Sequence, residues 1–129
     1  MSIKSLYLMT FAAVMACASA GGSGSGSGTY RDPIVITDQE IAASNESNAF
    51  DVVQKLRPLF LRTRGRSSIS SGGNEYASVF VDGQYYGGLS SLRNLVASQV
   101  HEIRYLSGPE AGGKYGIRYG SGAIDVRMK

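Results

Sequence analysis

Short β-branched runs alternating with capped, amphipathic segments predict an α+β domain, close in kind to α/β proteins: a small mixed β-sheet with two or three short helices. Three observations carry this expectation. The run Pro33-Ile34-Val35-Ile36-Thr37 passes directly into Thr37-Asp38-Gln39-Glu40, the spacing of a helix capping box. Ala49, Val52, Val53 and Leu56 stand at i, i+3, i+4 and i+7, which is one apolar stripe of a helix. Asp82-Gly83 lies between two apolar and aromatic runs and reads as a two-residue hairpin turn, because both central positions of such a turn want positive φ.

The elements follow in order. Pro33 to Thr37 is a strand by length and composition, and a short helix through Ile41 to Ala43 follows it. A second helix starts at Asn48-Ala49-Phe50-Asp51 and ends near Arg57, because Pro58 pushes the residue before it out of the α region. Leu59 to Gly65 reads as extended, followed by a Ser/Gly loop from Ser67 to Gly73. Tyr76 to Val81 is a strand with Val79 and Val81 on one face and Tyr76 and Phe80 on the other, and Gln84 to Tyr86 returns beside it. Gly87-Gly88 breaks that strand, and Ser90 or Ser91 is placed to cap a helix carrying Leu92, Leu95 and Val96. Val100 to Leu106 is again a strand, with Val100, Glu102, Arg104 and Leu106 alternating against His101, Ile103 and Tyr105. Gly108-Pro109 ends it, residues 110–122 read as Gly-rich turns, and Ala123 to Met128 form a final strand.

The 129 residues divide unevenly. Lys4 and the apolar run Leu6 to Ala16 make a signal peptide over residues 1–16, and the run, at roughly eleven residues, is too short to cross a bilayer as a helix. Two cleavage readings stand side by side. Ala18-Ser19-Ala20 fits ordinary secretion with cleavage after residue 20, whereas Val14-Met15-Ala16-Cys17 resembles a bacterial lipobox with Cys17 as the lipidated first residue. Cys17 is the only cysteine, closes the apolar run and precedes a Gly/Ser linker over residues 17–28 that suits a tethered domain, so lipidation is the favoured reading. Ala18 supplies no Asp retention signal, which for such lipoproteins implies the outer membrane, on its periplasmic face; free secretion would leave the domain in the periplasm. Thr29 to Lys129 is one domain, long enough to bury roughly 65% of its unfolded surface. A net charge of +3 with no Trp makes no nucleic-acid footprint.

The folded part resembles the plug domain of TonB-dependent outer-membrane receptors, over Pro33 to Lys129. Ile34 to Ile41 looks like the plug's first strand running into its first helix, and Asp51-Val52-Val53-Gln54-Lys55-Leu56-Arg57-Pro58 like the next helix with its terminal proline. Arg62-Thr63-Arg64-Gly65 resembles an Arg-Gly strand end, and Val79-Phe80-Val81-Asp82-Gly83 a hydrophobic strand ending in Asp-Gly. Ile103 to Pro109 resembles the strand ending in Gly-Pro, and Tyr119-Gly120-Ser121-Gly122-Ala123-Ile124 the Gly-rich passage before the last strand. Two departures stand out. Leu59-Phe60 replaces the Gly-Val that usually follows the helix proline, and Arg104-Tyr105-Leu106-Ser107-Gly108-Pro109 differs at two charged positions from Glu-Val-Leu-Arg-Gly-Pro. A transmembrane barrel takes at least eight strands of about ten residues, so the expectation is a standalone plug-like copy without the barrel. Asp32 to Ile36 has a superficial likeness to a TonB box, but the first strand needs the same residues.

The resemblance implies a non-enzymatic binding module at the outer membrane, working with a barrel or other transport protein; an independent periplasmic binding or scaffold domain is the alternative, and a small hydrolase a remote one. No catalytic, metal or cofactor site is expected. His101 reads as an ordinary strand residue, Gly113-Lys114-Tyr115 lacks the Ser or Thr of a phosphate-binding loop, and no Gly-x-Ser-x-Gly elbow is present. Asn45-Glu46-Ser47 matches a glycosylation sequon by chance. Arg57, Arg62, Arg64 and Arg66 are the best functional candidates. Arg62, Arg64 and Arg66 alternate, so on an extended chain they share one face suited to an acidic partner surface, or else form a solvated edge. Asp82, Gly83, Gly108 and Pro109 are expected to be structural turn residues.

Overall fold

Thr37 ends one element and begins the next. The computed structural model describes residues 31–62 and 76–129. In it the first strand, β1 (Val35–Thr37), runs straight into helix α1 (Asp38–Ser44). The Thr37 hydroxyl accepts from the Glu40 N–H at 3.4 Å, and the Glu40 carboxylate accepts from the Thr37 N–H at 3.2 Å, closing the expected capping box. Asn45 closes the helix in the left-handed conformation (φ 57°). Helix α2 (Ala49–Leu56) is capped by the Asn48 side chain, which accepts from the Asp51 N–H at 2.9 Å. Its predicted stripe is buried: Ala49, Val52 and Val53 are closed to solvent.

Beyond these helices lie β2 (Ser78–Val81), β3 (Gln84–Gly87), β4 (Val100–Leu106), helix α3 (Gly108–Tyr115) and β5 (Ala123–Met128). The strands form one five-stranded mixed sheet in the order β1-β4-β5-β2-β3, which makes the fold α+β as expected. β5 lies at its centre, antiparallel to β4 and parallel to β2. One face packs Ile36, Val79, Ile103, Tyr105, Ile124 and Val126 against α1, α2 and the 3-10 turns. On the other face Phe80, Leu106 and Ala123 pack beneath Ala111 of α3, leaving the rest of that face uncovered. Both edges are blunted against further pairing. β1 has only three residues, and β3 carries a bulge, since Phe80 pairs with Tyr85 but Val79 with Gly87, leaving Tyr86 as the extra residue.

Several expectations are corrected. Pro58 to Leu61 forms a 3-10 turn where Leu59 onward was expected to be extended. Proline at the first position presets φ for such a turn, and the turn drops Phe60 onto Tyr105 with ring centroids 5.1 Å apart. The helix expected from Ser90 or Ser91 is a 3-10 turn over Leu89–Asn94, followed by another over Ala97–Gln99. Ser91 does not cap it by accepting; its hydroxyl donates to the Gly88 carbonyl at 2.6 Å. Leu92 and Leu95 are buried as expected, but Val96 stays 49% exposed, because Leu95 and Val96 form an extended link between the two turns, where successive side chains point to opposite sides. Tyr76 and Ala77 precede β2, whose pairing with β5 begins at Ser78. The alternation along β4 is broken by a bulge: Glu102 pairs with Arg127 but Val100 with Met128, so His101 is extra. Val100 thereby joins Ile103 and Tyr105 in the core and does not share a face with Glu102 and Arg104.

The largest correction concerns Gly108-Pro109. The pair opens a helix as well as ending a strand. The Ser107 hydroxyl and N–H both engage the Glu110 carboxylate, at 2.6 and 2.9 Å, and Pro109 occupies the first turn, where a missing N–H costs nothing. The same two hydrogen bonds hold the Glu110 carboxyl below its usual range. Residues 110–122, expected as turns, therefore contain most of α3 and a 3-10 turn over Ile117–Tyr119.

Candidate functional site

The half-covered outer face of the sheet combines aromatic rings with charges, and its geometry follows from alternation. On β2, Val79 faces the main core, so Phe80 points outward; on β5, Ile124 and Val126 face inward, so Asp125 and Arg127 point outward. α3 lays Tyr115 flat on Phe80, with centroids 3.6 Å apart and planes 7° from parallel. Tyr119 meets Phe80 edge-on at 5.0 Å, and Tyr85 does so from the neighbouring strand at 5.7 Å. Tyr85 and Tyr119 approach each other to 5.9 Å, and Tyr85 remains 53% exposed.

Beside the rings, Asp125 accepts from the Tyr115 hydroxyl at 3.0 Å and from the Lys114 ammonium at 2.5 Å. The bond to Asp125 holds the Lys114 ammonium above its ordinary range, and burial pushes the Tyr115 phenol up as well. Both shifts act in the same direction on stability. The folded state keeps each proton more tightly than the unfolded chain, so this contribution is whole below about pH 10 and is lost as pH rises through the folded values. Asp125→Asn is expected to make the fall of the melting temperature between about pH 9 and 12 shallower. An unchanged slope would show that the network carries none of the alkaline sensitivity.

Further along the same face, Arg104 stands opposite Asp125 and Glu102 opposite Arg127 on the two central strands. Arg104 Nε lies 3.4 Å from the Glu102 carboxylate. The carboxylates are the more covered partners: Glu102 and Asp125 side chains are 23% and 17% exposed, against 48% for Arg104 and 52% for Lys114. Cations therefore lie outermost.

The residues singled out in the sequence scatter. Asp82 (φ 48°) and Gly83 (φ 82°) form the expected hairpin turn with both φ angles positive. Asp82 also ties that turn to β5, its N–H donating to the Val126 carbonyl and its carboxylate accepting from the Met128 N–H at 3.0 Å. A Cβ on Gly83 would meet nothing, so Gly83→Val tests backbone strain alone and is expected to cost about 1 kcal/mol, read as a lowered urea midpoint. Gly108 and Pro109 open α3. Arg62 is exposed after the Pro58 turn, while Cys17, Arg64 and Arg66 lie outside the described residues, as does the rest of the proposed arginine face.

Arg57 is not a free binding group. One of its terminal nitrogens (Nη2) reaches the Asp32 carbonyl at 3.2 Å, the Val35 carbonyl at 3.5 Å and the Glu40 carboxylate at 3.2 Å, clamping the start of the chain's first strand to the end of α2. His101 lies 3.8 Å from Asp38, both about half exposed. Among the described residues no group of three or more His, Cys, Asp and Glu is arranged to hold a metal, and no helix is long and apolar enough to cross a membrane.

The outer-face network was missed in the sequence. Its available signal was Ser107-x-x-Glu110, the same capping spacing recognised at Thr37, which would have placed Lys114 and Tyr115 on a helix. No family model, curated protein or solved structure matches the chain.

Proposed function

We propose that the chain is a non-enzymatic, plug-like binding module, lipid-anchored through Cys17 at the periplasmic side of the outer membrane and working with a barrel or transport protein. The observation that supports this reading is the way the plug-like segments divide their work within one sheet. Ile34 to Ile41 makes an edge strand and its capped helix, Val79 to Gly83 a strand and hairpin turn, and Ile103 to Pro109 the long strand and the opening of α3. Tyr119 to Ile124 leads into the central strand, with Gly120 packed against Gly108 and Gly122 at φ 105° beneath the Tyr105 hydroxyl. Among the residues behind the resemblance, Asp82, Gly83 and Gly122 hold positive φ and Gly108 takes the close approach of Gly120. Thr37, Glu40, Asn48, Arg57, Asp82 and Glu110 serve caps, a clamp and a strand tie, which suits a scaffold for binding.

The test has two arms. Expressed with its leader in a diderm bacterium, the protein should carry an acyl mass on Cys17 and fractionate with the outer membrane, and Cys17→Ser should release it or block maturation. A mature N-terminus at Gly21 without acyl mass would overturn the anchor. Cross-linking in those membranes should join the domain to a β-barrel protein, and replacing Arg62, Arg64 and Arg66 together by Gln should weaken that link in a salt-sensitive way. Failure to cross-link any barrel would favour the independent periplasmic domain, and unchanged cross-linking in the triple variant would make the arginines a solvated edge.

A further inference from the structure

The 3-10 turn after α3 begins with the most exposed large apolar side chain of the described residues. Ile117 is 88% exposed, although the rest of the outer layer packs its aromatic rings together. Its surroundings are equally open: a Cβ added to Gly112, Gly113 or Gly116 would meet nothing within 4 Å. Arg118 follows it, exposed and in no ion pair with a described residue, and Lys114 precedes it by one turn of chain. Tyr119 closes the turn and lies 5.9 Å from Tyr85, and both rings are apolar in body and polar at the tip. On the sheet behind, Arg127 is exposed and also free of ion pairs with described residues, while Glu102 and Asp125 lie beneath Arg104 and Lys114. Glu110, the single carboxylate of α3, is turned back into the Ser107 cap.

We infer that this tip is a membrane-docking surface, with Ile117 entering the headgroup boundary and Arg118, Lys114 and Arg127 meeting an anionic lipid surface. The chemistry fits each part of the surface. An isolated aliphatic side chain gains by leaving water, tyrosines favour the interface, and outermost cations over covered carboxylates complement negative headgroups. The positive charge is modest, since Asp125 partly answers Lys114, so attachment is reversible and salt-sensitive. The inference does not rest on Cys17, and its test removes that residue's contribution.

Full-length Cys17→Ser protein, carrying no acyl chain, is sedimented with vesicles of phosphatidylglycerol mixed into phosphatidylcholine, and with phosphatidylcholine alone. Preferential binding to the anionic vesicles, weakened by added salt, is expected. Ile117→Ser should weaken it about tenfold, the worth of one aliphatic side chain moved out of water. Arg118→Gln should weaken the anionic preference while leaving the melting temperature unchanged, because neither side chain packs in the fold. Equal binding to both vesicle types, or binding indifferent to both substitutions, overturns the inference. So does concentration-dependent self-association abolished by Ile117→Ser, which would assign the tip to a second copy of the chain.

Discussion

Gly108→Ala is expected to destabilise the domain by about 3 kcal/mol, the upper range for forcing one carbon into a packed site. A Cβ on Gly108 would fall inside the Gly120 carbonyl oxygen, with the Gly120 carbonyl carbon 3.1 Å away. No flexible side chain is available to yield. Gly120 is held by its N–H to the Ile117 carbonyl, and Gly122 by its N–H to Tyr119 and by its carbonyl to the Ser78 N–H. Relief must move either this locked loop or α3, and both carry rings packed on Phe80, Tyr119 edge-on and Tyr115 stacked. Gly112→Ala is the control: its Cβ meets nothing, and alanine in a helix gains about 0.5–1 kcal/mol over glycine. Urea unfolding of the two variants should therefore shift in opposite directions. A Gly108→Ala midpoint equal to the wild type would show that the loop gives way freely.

Arg57→Ala is expected to cost about 2–3 kcal/mol, because three acceptors lose one donor group at once. The Arg57 and Glu40 side chains are only 17% and 13% exposed, so truncation leaves a largely covered carboxylate with the weaker Arg31 contact at 3.7 Å. Arg57→Lys should recover little, since an ammonium on a shorter stem stops short of the place Nη2 occupies and also loses the bond that Nη1 donates to the Leu56 carbonyl at 3.1 Å. A double-mutant cycle with Glu40→Gln should show coupling well above the 0.2–1 kcal/mol typical of an exposed pair. Coupling near zero would mean that the arginine acts through its backbone carbonyl partners alone.

Local signals in the sequence were reliable where one residue type settles one geometry. Thr37 with Glu40, the Ala49 to Leu56 stripe and Asp82-Gly83 all decide their conformation within a turn of chain, and the structure follows them. The failures needed information from elsewhere in the fold. The bulge at His101 exists because Val100 pairs with Met128, which strict alternation cannot foresee. Gly-Pro after Ser107 looked like a terminator because proline and glycine punctuate loops, yet proline is equally at home in a first helical turn. Arg57 was grouped with Arg62, Arg64 and Arg66 by proximity in sequence. Its actual role depends on Asp32, Val35 and Glu40, which only the folded chain brings to it.

The placement of β5 governs when the domain can exist at all. Of the strand neighbours, only β2 and β3 are joined by a short turn; β1 must wait for β4, with Thr37 meeting Glu102, and the two pairs are united only by β5. A nascent chain leaving the ribosome thus holds, until residues 123–128 emerge, at most two separate ribbons, each too small to persist in water. Such long-range closure makes folding slow compared with a helical bundle of similar size. The polypeptide stays threadable until β5 emerges, and the sheet closes only when that strand joins its two halves.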